Sequence, residues 1–301
     1  MERGTGARAT AGSGIGLIGL AAVVWGTIGV GSGWLFAAVP ETNPPSVGFY
    51  RLAVAVPALV ALGWWLLGDK LLAVRRRDLA LMAGIGCGMA LYQLAYYGAI
   101  QRVGVSVAAL VTLCTAPVMV ALLAAPLLGE RLTRTALLAL VGALTGTTLL
   151  VGAGPETLAT APDMPAGVAL AVTAGAGYAG LVLCGRGLAA RYHPIQPIAV
   201  GFGAGAVLLL PLALATGLTL DYPPAGWAVL AYLGLVPTTL GYLLFQSGLR
   251  RTGATTASIV TLIEPLTSAG LAALLFGERL GPTGLLGAAL LLASVAVLGR
   301  R

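Results

Sequence analysis

One carboxylate inside an apolar run is the strongest chemical signal in this sequence. It is Glu264, in TLIEPLTSAGLAALLF (261–276). An ionised acid in hydrocarbon is costly, so such a residue is by default part of a proton, ion or substrate path. Glu264 would serve as a proton or cation site or as an anchor for a substrate ammonium. The alternative is a buried glutamate, protonated or hydrogen-bonded, that braces the helix broken at Pro265. Arg51 lies about five residues into another apolar run, and Tyr50 precedes it. Arg51 either snorkels to the interface or binds a carboxylate, and Tyr50 is similarly open. Trp25, Tyr92, Tyr96, Tyr178 and Tyr242 sit near the middle of their runs; across the internal repeat Gln93 matches Tyr242 and Tyr97 matches Gln246, which adds amide and hydroxyl handles facing either lipid or a cavity. Tyr92 and Tyr96 are four apart and share a helix face. Hydroxyls buried in a bilayer need partners. Each ring alone would also suit core packing. As a group they predict the wall of a water-filled cavity between the first, third, sixth and eighth apolar segments.

Other chemistries find little support. Gly14-Ile15-Gly16-Leu17-Ile18-Gly19 fits GxGxxG, but it opens an apolar segment and follows no strand, so it is no dinucleotide site. HExxH, GxSxG and P-loop motifs are absent. His193 is the single histidine, stands in a polar connection without an acid, and reads as a solvated loop residue. Cys87, Cys114 and Cys184 all fall in apolar runs and read as small packing residues, with no disulfide framework. No metal and no cofactor is expected.

The positioning elements follow from composition. Hydrophobic residues make up 58% and charged residues 9% of 301 positions, against about a quarter charged in soluble domains. Ten apolar segments lie near 15–38, 46–67, 79–101, 104–127, 135–153, 166–189, 196–216, 226–249, 253–276 and 283–299. Each is close to the roughly 20 residues a spanning helix needs. The fold expected is an all-α integral membrane protein of ten transmembrane helices. The first segment is too long for the apolar core of a cleavable signal peptide. With the N-terminus inside, the inner connections carry 14 basic residues and the outer ones two. That bias places both termini in the cytoplasm. It also accounts for the net charge of +7 without nucleic acid. Trp34, Trp64, Trp65, Tyr192, Tyr222 and Trp227 near segment ends read as interfacial belts. Small residues four apart, such as Gly84/Gly88 and Gly142/Gly146, predict close helix approaches.

The chain also repeats itself. TLCTAPVMVALLAAPLLGERL (112–132) answers TLIEPLTSAGLAALLFGERL (261–280), and YYGAIQRVG (96–104) answers FQSGLRRTG (245–253). Pro117 and Pro265 occupy matched places and are candidate hinges or path-shaping kinks; Thr115 stands where Glu264 does. Five spans per repeat is odd, so the second copy is inverted relative to the first, with a site near the midplane between them. The units would be 1–155 and 166–301, joined by an extracytoplasmic linker at 156–165.

The paired GERL endings resemble the EamA-type branch of the drug/metabolite transporter superfamily. The resemblance covers nearly the whole chain. It implies a ten-helix carrier of two inverted repeats in the bacterial inner membrane, and its relatives include amino-acid exporters. The expected function is export of amino acids or related small metabolites by alternating access, as a monomer in the lipid bilayer. A sugar-phosphate carrier would want several cavity cations, and only Arg51 is available. Efflux of cationic drugs through Glu264 and the aromatics is the runner-up. A membrane-embedded enzyme lacks its clustered Asp, His or metal ligands.

Overall fold

In lipid, long runs of Gly, Ala and Leu can satisfy their backbone groups only within themselves, so they coil. The computed structural model describes residues 2–152, 163–276 and 281–299, without the side chains of 2–11, 105, 106, 272 and 276. The second GERL, most of the linker (156–162), and Arg300 and Arg301 lie outside the described residues. Among the described residues all regular structure is helical.

Ten helical segments are long and apolar enough to cross a membrane: Gly12–Ala38, Pro44–Leu72, Arg76–Gly104, Val107–Leu128, Arg134–Val151, Met164–Leu188, Ile195–Ala215, Pro224–Leu249, Ala254–Leu275 and Pro282–Gly299. They are the ten segments read from the sequence, and are numbered here as first to tenth span. Local chemistry sets their ends. Asn43 caps the second span by accepting from Ser46 N at 2.9 Å, and Thr133 caps the fifth by accepting from Ala136 N at 3.2 Å. Gly104, at φ +76°, breaks one long helix into the third and fourth spans.

Spans matched by the sequence repeat make matched contacts. The sixth span packs against the third and fourth, and the first packs against the eighth and ninth. The fifth packs on the tenth, and the second on the seventh. Glycine sets the spacing, because lipid supplies no hydrophobic drive between helices and backbone proximity must supply dispersion instead. A Cβ on Gly88 would stand 2.6 Å from Gly177 O, and one on Gly146 would stand 2.8 Å from Gly287 O. The expected approaches at Gly84 and Gly142 are also present, against Cys184 and Ser294.

Two loop clusters close the ends of the bundle. At one end Asn43 Nδ2 donates to Gly217 O at 2.7 Å, and Tyr222 bonds Thr42 through their hydroxyls. Arg102 also pairs with Asp163 at 3.1 Å there. At the other end Gln196 donates to Lys70 O at 2.8 Å, and Arg191 pairs with Asp78 at 2.6 Å. Tyr192 OH donates to Asp78 Oδ2 at 2.8 Å. Tyr192 and Tyr222 are therefore buried hydrogen-bonding groups rather than the lipid-facing belt residues expected of them. Trp34, Trp64, Trp65 and Trp227 do present exposed rings. His193 also departs from expectation, because it is only partly exposed and its Nδ1 is buried without a hydrogen-bond partner.

Candidate functional site

Among the described residues the first, eighth and ninth spans are interrupted within their lengths, and the interruptions meet. The first span stops at Trp25, turns through Gly26 and Thr27, and resumes at Ile28. The ninth stops at Val260 and resumes at Ile263, immediately before Glu264-Pro265. Pro265 lacks the N–H a continuous helix would use. The two breaks are in contact: Ser268 Oγ donates to Gly26 O at 3.0 Å, and a Cβ on Gly26 would stand 2.9 Å from Glu264 O. The eighth span loosens into a π-helical turn over Gly234–Leu240 around Pro237. Widened turns of this kind release carbonyls from the helical ladder. Pro237 O takes the indole N–H of Trp25 at 2.9 Å.

The breaks of the first and ninth spans border a cavity of about 610 Å³, within the range of small-molecule sites. Trp25, Arg51, Tyr92, Tyr96, Tyr178, Tyr242, Glu264 and Pro265 all contribute to its wall. The rings form one connected set. Trp25 lies 4.7 Å from Tyr242 and 6.3 Å from Tyr178, centroid to centroid, while Tyr92 stacks on Tyr96 at 5.7 Å. Phe202 and Phe245 pack behind Tyr242 and Trp25 and close the cavity on that side. Phe36, Ile100, Ala109, Leu150 and Val151 extend the wall to the span ends next to the 39–43, 104 and 152–163 connections. Among the described residues the cavity therefore opens toward that end of the bundle. The opposite end is tied together by the Asp78, Gln196 and Glu130 bonds.

Arg51 does not snorkel to the surface. It is 6% exposed, and its Nε donates to Thr238 Oγ1 at 3.2 Å. Glu264 shares the cavity with it, yet no acid lies within 4 Å of Arg51 and no base within 4 Å of Glu264 among the described residues. A cation and an anion thus face one aromatic-walled space without neutralising each other directly.

Three residues singled out in the sequence lie elsewhere. Tyr50 belongs to an aromatic group with Tyr222 and Trp227 near the cavity's open end, and its hydroxyl donates to Thr219 O at 2.9 Å. Gln246 is buried behind the cavity against Gly185 of the sixth span, with Nε2 unpartnered. Pro117 sits inside a helix that stays continuous from Val107 to Leu128, away from the cavity wall.

Gln93, which stands at the repeat position of Tyr242 and one turn from Tyr96, contributes a buried, unpartnered Oε1 to the wall. Thr112, Ser32 and Ser268 were not anticipated there and add hydroxyls. Thr238, which holds Arg51 from behind the wall, had no signal beyond its place after Pro237.

A ten-span helical protein with broken helices around a shared cavity is built as membrane carriers are. The family comparison agrees. The profile of the EamA-like transporter family matches twice, over residues 12–152 and 165–300, and the chain belongs to that family. It is a multi-pass inner-membrane transporter. Similar proteins include the Bacillus subtilis transporter YwfM, 30% identical over 93% of this chain and 91% of its own. The Salmonella typhimurium inner membrane transporter YicL is 28% identical over 93% and 92%. A Streptantibioticus cattleyicolor protein named a "probable terminal-alkyne amino-acid exporter" is 31% identical over 75% of each chain. One crystal structure superposes with a TM-score of 0.80 at 20% identity, covering 93% of this chain and 94% of the other, and speaks to the fold.

Proposed function

We propose that this transporter exports amino acids or closely related zwitterions across the inner membrane. The observation that carries the reading is the unbridged pair of Arg51 and Glu264 on one aromatic-walled cavity. Buried charges that are not paired with each other call for other partners, and a zwitterion supplies both. Its carboxylate would meet Arg51, its ammonium would meet Glu264, and its side chain would lie among Trp25, Tyr178 and Tyr242. The similarity to the Streptantibioticus cattleyicolor exporter supports the amino-acid class.

The cycle inferred is alternating access. Units 1–155 and 166–301 rock about the site, with the linker at 156–165 passing between them, and the protein acts as a monomer that moves its substrate chemically unchanged. Both termini face the cytoplasm by the arginine bias, so the open end of the cavity faces outward. Cysteines placed near the two ends of the chain should label from the same side, the inside, with a membrane-impermeant thiol reagent. Labelling from opposite sides would end the inverted-repeat reading.

Flux into proteoliposomes tests the substrate. Uptake of a labelled amino acid should be competed by several other amino acids and spared by a lipophilic cation and a sugar phosphate. Competition by the cation alone would favour drug efflux through Glu264 and the aromatic rings, and no amino-acid flux under any gradient would refute the proposal.

A further inference from the structure

The π-helical turn of the eighth span performs a task that the sequence did not announce. Thr238 Oγ1 lies 2.7 Å from Leu233 O, and Thr239 Oγ1 lies 2.9 Å from Gly234 O. Both spacings are five residues. Each hydroxyl therefore donates to a carbonyl across the widened turn. A hydroxyl has one hydrogen and two lone pairs. Having given its hydrogen to Leu233 O, the Thr238 oxygen faces Arg51 as an acceptor only. Arg51 Nε occupies that acceptor at 3.2 Å. The guanidinium plane is thereby fixed by one edge. Its two terminal nitrogens make no hydrogen bond among the described residues, and Arg51 forms part of the cavity wall.

An arginine that is 6% exposed, held at Nε and open at both terminal nitrogens, presents a fork suited to a carboxylate. The same turn also holds Trp25 through Pro237 O. One irregular turn thus orients a cation and a ring belonging to two other spans. Pro237 stands at i+4 from Leu233 and has no N–H, so the proline leaves the Leu233 carbonyl free for the Thr238 hydroxyl. With an N–H donor at position 237 an α-helical turn would engage that carbonyl. The Thr238 hydroxyl would then lose the partner that aims it.

We propose that Thr238 is the positioning residue that presents the Arg51 guanidinium to a substrate carboxylate, and that this contact selects carboxylate-bearing amino acids over the corresponding amines. The inference rests on the zwitterion reading of the cavity and adds the element that sets its selectivity.

The test is proteoliposome counterflow with a labelled amino acid, competed by unlabelled amino acid or by its decarboxylated amine. It compares wild type, Thr238→Val and Thr238→Ser. Valine keeps the shape of threonine without the acceptor, and serine restores it. In wild type the amino acid should compete at least about tenfold better than the amine. Thr238→Val should weaken the amino acid about tenfold, in keeping with loss of a hydrogen bond to a charged group. It should leave the amine unchanged, and Thr238→Ser should recover most of the preference. Equal weakening of both competitors by Thr238→Val, or equal competition in wild type, overturns the positioning role while amino-acid transport itself stands. Absence of amino-acid counterflow in wild type removes both this assignment and the function on which it rests.

Discussion

An acid at mid-bilayer depth persists only where water or a partner reaches it, and Glu264 lies on the wall of a cavity large enough to hold either. The helix break at Thr261-Leu262 carries it into the cavity, and Arg51 stands in the same space. Glu264→Gln keeps the size of the side chain and removes its charge. It should reduce amino-acid flux at least tenfold, on the order of the 1.4 kcal/mol that a charged contact supplies, and abolish any dependence of flux on external pH in the neutral range. Unchanged flux with unchanged pH dependence would remove Glu264 from the site. His193, in the connection between the sixth and seventh spans, makes a separate prediction. Burial, with Arg250 nearby, holds its imidazole below the ordinary value. The folded state thus binds its proton less readily than the unfolded chain, so this residue's contribution is complete above the ordinary histidine value and lost as pH falls through the folded one. Thermal melting in detergent should show His193→Gln losing less stability than wild type between about pH 7 and pH 5; parallel pH curves would contradict it. Both residues stand out in the sequence for their rarity. What surrounds them did not, because Asp78 and Thr238 are ordinary letters whose arginine partners lie more than a hundred residues away in the chain.

Elements here are defined by their interruptions as much as by their helices. Hydropathy marks all ten spans because each must fill the same thickness of hydrocarbon. It says nothing about where a span stops being α-helical, since a turn at Gly26 or Thr261 leaves the apolar count unchanged. Prolines gave partial notice. Pro265 marks a break and Pro237 a π turn, whereas the helix runs on through Pro117 without a break. The first GERL shows what a short polar ending can do. Glu130 Oε1 accepts from Arg186 Nε at 2.7 Å, and Oε2 accepts from Ala254 N at 2.7 Å. One carboxylate thus caps the ninth span and ties the fourth to the sixth at the end opposite the cavity's opening. Glu130→Ala should cost about 1–2 kcal/mol, the magnitude of a lost helix cap, with a lower melting temperature and greater labelling of a cysteine placed at Gly187. An unchanged melting temperature would show that the clamp contributes little. Gly88→Leu should be worse. Its side chain would meet Gly177 backbone, and overpacking of this kind costs about 1–3 kcal/mol or more. Failure to recover folded protein at detergent extraction is the expected result, and wild-type stability would contradict the close approach.

At the scale of the whole molecule, the repeat explains why a chain this apolar adopts one arrangement. Each span of one copy finds in the other the partner that its counterpart has, so ten similar helices sort into distinct contacts. The match of GERL, Pro117/Pro265 and the tyrosine-rich stretch made that symmetry legible before any coordinates. The functional asymmetry was only half legible. Thr115 at the position of Glu264 marked the second copy as the acidic one, but the opposing charge, Arg51, came from the first copy in a place that also suited snorkelling. That asymmetry puts a cation from one copy and an anion from the other on a shared aromatic cavity, and the proposed function rests on it. The most direct test is equilibrium binding of an amino acid to the purified protein in detergent by calorimetry, comparing wild type with Arg51→Met and Glu264→Gln. Saturable binding in wild type, weakened at least about tenfold in each variant, is the predicted result. Binding that survives both substitutions undiminished would place the amino acid elsewhere and contradict the account.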